Sequence, residues 1–490
     1  MSQRAATTFS VPALLPAAYR VEMAVFLVLV AFTYLTITRP FVNGNPGARI
    51  GLTMAIVERG ELNIDPLVAE GNTDDWALYR GHYYSNKAPG PALLAVPLYF
   101  VQNRLQRALG VADGNFHARW AAMYVANAAT SIVPTLLAIP LLFAVLMRRL
   151  GLTPGWAFTL CGTWAVASVA LPYSVVFFGH QSAAAFFAIG MCVTALELER
   201  EGAPRSGAVF LAGLAMGLAV LCDYFTGPLV VVWTFYLAWR ARLAPRTLVA
   251  WAAGGLGPLV ILMVYQAVCF GSPFTMAYDP SILNPRFAPD SRLELPTLSR
   301  LLDVTVRPKR GLFYATPVFA LMLVGLARLP ERAPGRPERV GAAAGVVLLL
   351  GLLAAYPYSS GTYSIGQRFF TPALPLALFL LAGAARALPR LFIALLLASA
   401  FLMVVATVVE PLPPEEHENP FRDMIFPMLV HNGPSEMRNL FTFFLGVPLM
   451  GAVGVYLALW AGLGAWLLGR LRAEGRPNLR ADSPLGLGSR

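Results

Sequence analysis

The stretch RGHYYSNKAPGPALLAVPLYF, Arg80–Phe100, decides how the rest of the chain must be placed. It joins a polar, aromatic and cationic segment to an apolar run that begins at Ala88 and ends near Val101. This run of about 14 residues is shorter than the roughly 20 residues that a helix needs to cross the hydrocarbon core of a bilayer. We therefore predict that the run dips into the membrane surface or lies along it, and that it does not cross.

The composition is that of a polytopic membrane protein. Of the 490 residues, 57% are hydrophobic and only 13% are charged, whereas charged residues make up about 25% of a typical soluble domain. Four charge-free intervals are long enough to span a bilayer as helices: 120–147, 340–367, 391–409 and 439–469. The sequence therefore predicts an all-α polytopic membrane protein and excludes a soluble globular enzyme.

Twelve membrane-spanning helices account for the apolar segments of the chain. We place them near 21–38, 118–147, 154–172, 181–197, 206–222, 225–239, 247–269, 312–327, 340–357, 370–385, 391–409 and 441–468. With the run after Ala88 left out of this count, arginines gather in every second connection, as at 148–149 and 386–390. Since cytoplasmic loops are enriched in Lys and Arg, both termini are predicted to lie in the cytoplasm.

The predicted topology divides the chain into a cytoplasmic tail, 1–20, a transmembrane domain, 21–469, and a disordered cytoplasmic tail, 470–490. Three long loops lie on the extracytoplasmic side: 39–117, 270–311 and 410–440. The net charge of +11 follows from the basic cytoplasmic loops, so it favours contact with anionic membrane lipid and not with nucleic acid. Alanine, arginine and proline are abundant, which suggests a GC-rich bacterium. Together with the predicted topology, this gives the bacterial inner membrane as the expected location.

The first outer loop is predicted to contain interfacial helices. Asn45–Pro46 is typical of a helix start and Gly60 of a helix end. Between them, apolar residues recur at helical spacing at Ile50, Met54 and Val57. This pattern predicts a short amphipathic helix that lies along the membrane interface. Further along, Arg80–Gly81 is typical of a turn.

The polar chemistry of the chain is concentrated on the predicted outer face, where no ATP is available. The sequence contains neither a Walker phosphate loop nor a strand-led dinucleotide motif, and Gly254–Gly257 is interpreted as helix packing. An enzyme on this face needs a substrate that is already activated. Lipid-linked phosphosugars meet this need, because their glycosyl phosphate bond is energised and their prenyl tail reaches the site through the bilayer.

Three segments in this order resemble the GT-C superfamily of integral-membrane glycosyltransferases. They are HYYSNKAPGPALLAVPLY at 82–99, HARWAAMYVANA at 117–128 and GTYSIGQRFFTPALPL at 361–376. The resemblance is strongest to the bacterial branch that includes the protein mannosyltransferase and lipid A aminoarabinose transferase types, glycosyltransferase family 39. It implies a GT-C-like fold and a polyprenyl-phosphate sugar donor.

The resemblance also implies a carboxylate in the first outer loop that acts as general base. It would deprotonate an acceptor hydroxyl while the hydroxyl attacks the anomeric carbon, opposite the departing phosphate. Family members place an acidic residue soon after the first span, whereas this chain has none between its first span and Glu58. We therefore rank Asp75 first as the base, then Asp74, then Asp65.

The alternatives for these carboxylates are a solvated turn or a helix cap. The sequence defines no cofactor. The adjacent carboxylates of Asp74 and Asp75 could bind Mg²⁺ or Mn²⁺, but the sequence defines no third ligand for such an ion.

Cations near the first loop are the candidates for binding the donor phosphate. Lys87 and Arg49 come first, with anchoring to lipid headgroups as the alternative. Tyr84 would stack on the sugar or belong to an aromatic belt at the interface. His82 would hydrogen-bond the sugar or the phosphate.

A second group of candidates lies later in the chain. Arg368, which follows Gln367 in an apolar region, should have an anionic partner, because an unpaired cation there is costly. We expect the lipid phosphate or a loop carboxylate, and snorkelling to headgroups is the alternative. Arg310 is a candidate for the same role as Arg368. Asp223 is interpreted as a capping or packing group.

The predicted activity is transfer of a sugar from a polyprenyl-phosphate donor to an extracytoplasmic lipid, glycan or protein acceptor. Two alternatives remain open at this point. One is a transporter or flippase of lipid-linked or small substrates, and the other is an envelope glycan polymerase or ligase that uses a lipid-diphosphate donor.

Overall fold

The computed structural model describes residues 17–38, 44–111, 116–287, 292–329, 331–360, 363–433 and 438–473. Most of the predicted tails, 1–20 and 470–490, lie outside these residues, as does part of the stretch 39–49 in which the family base was missing. The described part of the chain is mainly helical, as the sequence predicts.

Helices in the first half are α1 Arg20–Thr36, α2 Gly44–Met54, α3 Asp65–Ala69, α4 Gly90–Ala108, α5 Phe116–Asn127, α6 Val133–Arg148, α7 Pro154–Val166, α8 Ala170–Ser174, α9 His180–Glu197, α10 Ser206–Cys222, α11 Gly227–Arg240 and α12 Pro245–Phe270. Those in the second half are α13 Leu298–Thr305, α14 Leu312–Ala315, α15 Met322–Ala327, α16 Arg336–Ala355, α17 Leu374–Ala387, α18 Pro389–Val409, α19 Phe426–His431 and α20 Leu449–Ala473.

Short 3₁₀ segments lie at Ala17–Tyr19, Tyr224–Thr226, Pro317–Leu321, Pro357–Ser360 and Arg368–Ala373, and π turns lie at Ala55–Arg59, Ala128–Ile132, Phe421–Ile425 and Leu440–Phe444. Four short strands form two antiparallel pairs: β1 Ile37–Thr38 with β4 Arg438–Asn439, and β2 Trp76–Tyr79 with β3 His82–Ser85.

All twelve predicted spans fall on helical segments. In the described part of the chain, six helical stretches are long and apolar enough to cross a membrane: His117–Arg148, Pro245–Phe270, Arg336–Ala355, Arg368–Ala387, Pro389–Val409 and Leu449–Arg472. The third and eighth predicted spans are broken into shorter pieces, and the last helix begins at Leu449 instead of 441. The predicted boundaries were wrong there, because an apolar run does not show where the backbone leaves the helical path.

Small residues bring helices α10 and α12 into close contact. A Cβ added at Gly213 would stand 2.1 Å from the carbonyl oxygen of Trp251, and one at Gly254 would stand 2.0 Å from that of Phe210. Helices α10 and α12 therefore pack backbone against backbone, as expected for small residues at a membrane helix interface. This confirms the interpretation as helix packing for Gly254 and Gly255, whereas a Cβ at Gly257 would have no neighbour within 4 Å.

One buried ion pair joins helices that are far apart in the sequence. Glu338 of α16 is fully buried and accepts hydrogen bonds from Arg149 Nε at 2.9 Å and from the Tyr236 hydroxyl at 2.8 Å. We expect Glu338→Ala to destabilise the protein by about 3–5 kcal/mol, because it leaves the Arg149 charge buried and unpaired. Thermal unfolding in detergent measures this.

Glu331→Ala is the matched control, since Glu331 pairs with Arg328 at 3.4 Å on the exposed surface. Such pairs contribute less than about 1 kcal/mol. Equal losses of stability in the two variants would contradict the structural role of the buried pair.

The predicted helix of the first outer loop is present, and it is buried by neighbouring elements. Helix α2 begins at Gly44, and Gly60, with φ of 71°, ends the π turn that follows it, so both predicted ends are confirmed. However, every residue from Pro46 to Met54 is buried. Helix α4 and strand β3 cover the faces that the sequence pattern left free, so α2 packs within the protein, and its position along the membrane interface stays a prediction.

The Arg80–Gly81 turn is confirmed as the two-residue turn of a β-hairpin. Arg80 has φ of 49° and Gly81 has φ of 83°, and left-handed conformations at both central residues are typical of a type I′ hairpin. The polar stretch that precedes the apolar run is therefore strand β3. Helix α4 follows and reaches Ala108, and it is not one of the six stretches long and apolar enough to cross.

Candidate functional site

A cavity of about 840 Å³ opens between the first, second and third predicted outer loops. Its polar and charged lining side chains are Asn45, Thr73, Asp74, Asp75, Arg286, Tyr358, Tyr363, Arg368, Glu410 and Glu415. Apolar side chains that include Phe178, Leu412, Met424 and Met428 form the rest of the wall. A concave space with convergent polar groups on an otherwise apolar wall is the usual form of a small-molecule site.

The hairpin places a buried ion pair at the cavity wall. Since Trp76 pairs with Ser85, the open end of the hairpin brings the flanking residues Asp75 and Lys87 together. Lys87 Nζ lies 2.7 Å from Asp75 Oδ1, and both side chains are at least nine-tenths buried. The ammonium group also lies 5.7 Å from the ring centroid of Tyr278, and burial raises the pKa of the Tyr278 hydroxyl.

Arg368 forms a second charged part of the wall. It begins the 3₁₀ segment before α17 and is 6% exposed. Its guanidinium lies 4.8 Å from the ring centroid of Phe369 and 5.8 Å from that of Phe178, and one amino group donates to the Tyr363 carbonyl at 3.2 Å. Within the described ranges no carboxylate lies at salt-bridge distance, and Nε has no hydrogen-bond partner. The cavity thus has an uncompensated buried cation in its wall.

Three predicted outer loops meet through ion pairs at the mouth of the cavity. Arg286 lies 2.7 Å from Asp74 of the first loop and 3.7 Å from Glu415 of the third. Asn284 supports this arrangement by donating to the Asp74 carbonyl at 2.7 Å. The mouth is therefore closed on one side by side chains that remain about half exposed.

Asp74→Asn is expected to cost less than about 1 kcal/mol of folding stability, because its ion pair with Arg286 is exposed to solvent. Thermal unfolding at low and high salt measures this. The small difference between the variant and the wild type should shrink further at high salt, since exposed pairs are screened. A loss of several kcal/mol would show that Asp74 is part of the folding core.

The predicted site residues fall into two groups. Asp74, Asp75 and Arg368 line the cavity together, and Lys87 contacts it through Asp75. The others lie outside the lining, and they are Asp65, His82, Tyr84, Arg49, Arg310 and Gln367.

Asp65, His82 and Tyr84 have structural partners in the hairpin and in the helices α3 and α12 beside it. Asp65 binds His82 Nδ1 at 2.7 Å and accepts from the Tyr83 backbone N–H at 2.6 Å. Tyr84 packs edge to face on Phe270, with the ring centroids 5.7 Å apart. Strand alternation explains this, because neighbouring residues of β3 point to opposite faces.

Arg49, Gln367 and Arg310 are buried. Arg49 donates to Asn45 Oδ1 at 2.9 Å and to the Ala88 carbonyl at 2.8 Å, and burial lowers its pKa. Gln367 caps the 3₁₀ segment by accepting from the Phe369 N–H at 3.3 Å. Burial lowers the pKa of Arg310 to about 10.

The two adjacent carboxylates do not form a common metal site. Asp74 binds Arg286, whereas Asp75 binds Lys87. The described residues contain no group of three His, Cys, Asp or Glu side chains that could hold a metal ion. The side chains present therefore do not fit a divalent ion shared by Asp74 and Asp75.

Sequence reasoning missed Arg286, Tyr358 and the pairing of His180 with Asp223. The acidic composition of the third loop was a usable signal for Glu410 and Glu415, which line the cavity. No local pattern marks Arg286, because its role depends on the segment near Leu283 pairing with the hairpin at Ala77.

Asp223 is a capping group, as predicted, because its side chain accepts a hydrogen bond from the Phe225 N–H at 3.0 Å.

Comparison with known proteins gives one structural likeness. The crystal structure of ArnT from Cupriavidus metallidurans bound to undecaprenyl phosphate is similar to this chain, with a TM-score of 0.46 and 14% sequence identity. The match covers 94% of this chain and 78% of that one. No protein-family model and no curated protein matches the sequence.

Proposed function

We propose that the chain transfers a sugar from a polyprenyl-phosphate donor to an acceptor on the extracytoplasmic side. The observation that carries the proposal is Arg368, a buried cation without a carboxylate partner in the described structure, in the wall of a large cavity. A buried charge is costly unless it is paired. A phosphate oxygen is the partner that guanidinium geometry favours.

The cavity wall provides for both parts of such a donor. Arg368 and Arg286 supply positive charge, and the carboxylates supply hydrogen-bond acceptors for sugar hydroxyls. Phe178, Met424 and Met428 offer apolar surface for the first isoprene units. An amphiphilic ligand fits this division of the wall better than a free sugar does.

Asp75 is the proposed general base. In the transfer, the acceptor O–H bond breaks and the oxygen bonds to the anomeric carbon, while the bond from that carbon to the phosphate oxygen breaks. Asp75 takes the hydroxyl proton, and the bonding electron pair stays on the departing phosphate, where Arg368 stabilises the new charge. Lys87 holds the Asp75 carboxylate in place and leaves its second oxygen for the proton.

The direct test is turnover by the purified full-length protein in liposomes. It is given a short-chain prenyl-phosphate sugar with a radiolabelled sugar and a crude envelope lipid extract as acceptor. We expect label to move into the acceptor and free prenyl phosphate to form. Movement of intact donor across the bilayer without bond cleavage would favour a flippase, and turnover only with a lipid-diphosphate donor would favour a polymerase or ligase.

A further inference from the structure

A buried histidine and aspartate lie next to the cavity, and the proposed transfer leaves them without a role. His180 begins α9, and Asp223 follows α10. His180 Nδ1 lies 2.5 Å from Asp223 Oδ2, and the side chains are 7% and 8% exposed. The other carboxylate oxygen accepts from the Phe225 N–H. Nδ1 therefore carries a hydrogen toward Asp223, and Nε2 is the ring nitrogen that can gain or lose a proton.

The same aromatic rings contact this pair and the cavity cation. The imidazole meets Phe369 and Phe178 edge to face, with centroid distances of 5.3 and 5.8 Å. Arg368 lies over the rings of these two residues. Only one layer of aromatic side chains thus separates His180 from the charge that the cavity presents, so the two groups interact electrostatically.

The charged and titratable groups around the pair come from several elements. They are Arg49 of α2, Tyr173 of α8, Cys222 of α10, Tyr224 of the following 3₁₀ segment, Tyr278 of the second outer loop, and Arg368. Among these, only the two arginines are charged near neutral pH.

The charge balance depends on whether the cavity holds an anion. With a neutral imidazole, the −1 of Asp223 and the +2 of Arg49 and Arg368 leave a net charge of about +1. A second proton on the pair raises this to about +2, which is unfavourable where water is scarce. A phosphate-type anion beside Arg368 removes that penalty, because it cancels positive charge close to the imidazole.

We propose that the His180–Asp223 pair takes up a proton when a phosphate-type anion occupies the cavity beside Arg368. This inference rests on the proposed phosphate site. The proton uptake also offsets a change of charge during the transfer. The donor phosphate is a singly charged diester, whereas the departing carrier is a monoester with a second ionisation. The proton taken up from solvent by His180 compensates the charge that the phosphate gains.

Calorimetric titration of the full-length protein in detergent with farnesyl sulfate tests this. The sulfate group does not titrate near neutral pH, so any proton taken up belongs to the protein. Measurements in two buffers of different ionisation enthalpy should show uptake of up to one proton. By linkage, the Kd should fall as pH falls, by up to about tenfold per pH unit, at pH values between the pKa of the pair in the bound protein and its lower pKa in the free protein.

His180→Asn should bind farnesyl sulfate without proton uptake and with a Kd that no longer depends on pH. Asp223→Asn should also show reduced proton uptake in the calorimetric titration. This variant tests the inference if His180→Asn does not fold. His82→Asn is the matched control, since His82 forms the same kind of pair with Asp65 on an exposed hairpin. Its proton uptake should equal that of the wild type.

Binding by the wild type without proton uptake would overturn the inference and leave the proposed function standing. Unchanged uptake in His180→Asn would overturn it as well. Failure of the wild-type protein to bind farnesyl sulfate would contradict the phosphate site, and with it both proposals.

Discussion

Arg368→Met should remove sugar transfer while the protein stays folded. The variant loses charge-assisted hydrogen bonds to the donor phosphate, each worth about 1.5–3 kcal/mol, which corresponds to a fall of about 10- to 150-fold in kcat/KM for each bond. Its folding stability should stay within about 1 kcal/mol of the wild type or rise, because the guanidinium has no carboxylate partner in the described structure that would be left behind.

Arg149→Met is the control for the measurements of sugar transfer and folding stability. Arg149 binds the buried Glu338 at the opposite predicted side of the membrane, so its loss should lower the thermal midpoint strongly. A large loss of stability in Arg368→Met, or retention of full activity, would remove Arg368 from the proposed phosphate site.

The Asp75–Lys87 pair gives the second prediction. Asp75→Asn and Lys87→Met should each cost about 3–5 kcal/mol of stability, because each leaves one buried charge without its partner. The double variant carries neither charge and should recover most of that stability. If Asp75 is the base, the double variant remains about 10²–10⁴-fold less active than the wild type although it is stable.

Asp74→Asn is the matched control, since it changes the neighbouring carboxylate, which is half exposed and pairs with Arg286. Recovery of activity along with stability in the double variant would show that Asp75 serves only to neutralise Lys87.

The helical architecture could be read from the sequence because apolar runs report directly on membrane helices. The turn at Arg80–Gly81 followed from turn chemistry alone, whereas the expectation that the run after Ala88 does not cross the bilayer stays a prediction. The burial of α2 could not be predicted from the sequence, because the pattern of α2 is that of an amphipathic helix. Only the structure shows that α4 packs against it and covers its faces.

The site was predictable only where its parts are close in sequence. Asp75 and Lys87 flank one hairpin, and the hairpin itself brings them together. Arg368, Arg286 and Glu415 come from three distant segments, and a single sequence holds no record of which loops meet. His82 looked like a site residue because it is polar and near Lys87, but strand alternation directs it away from the cavity. Asp65, at the start of α3, binds His82 and the Tyr83 N–H instead of facing the cavity.

A structure of the full-length protein with a short-chain prenyl-phosphate sugar bound tests the central claim most directly. We predict the phosphate within hydrogen-bond distance of Arg368, and the anomeric carbon facing the Asp75 carboxylate. A phosphate bound elsewhere, with Arg368 still lacking an anionic partner, would contradict this account.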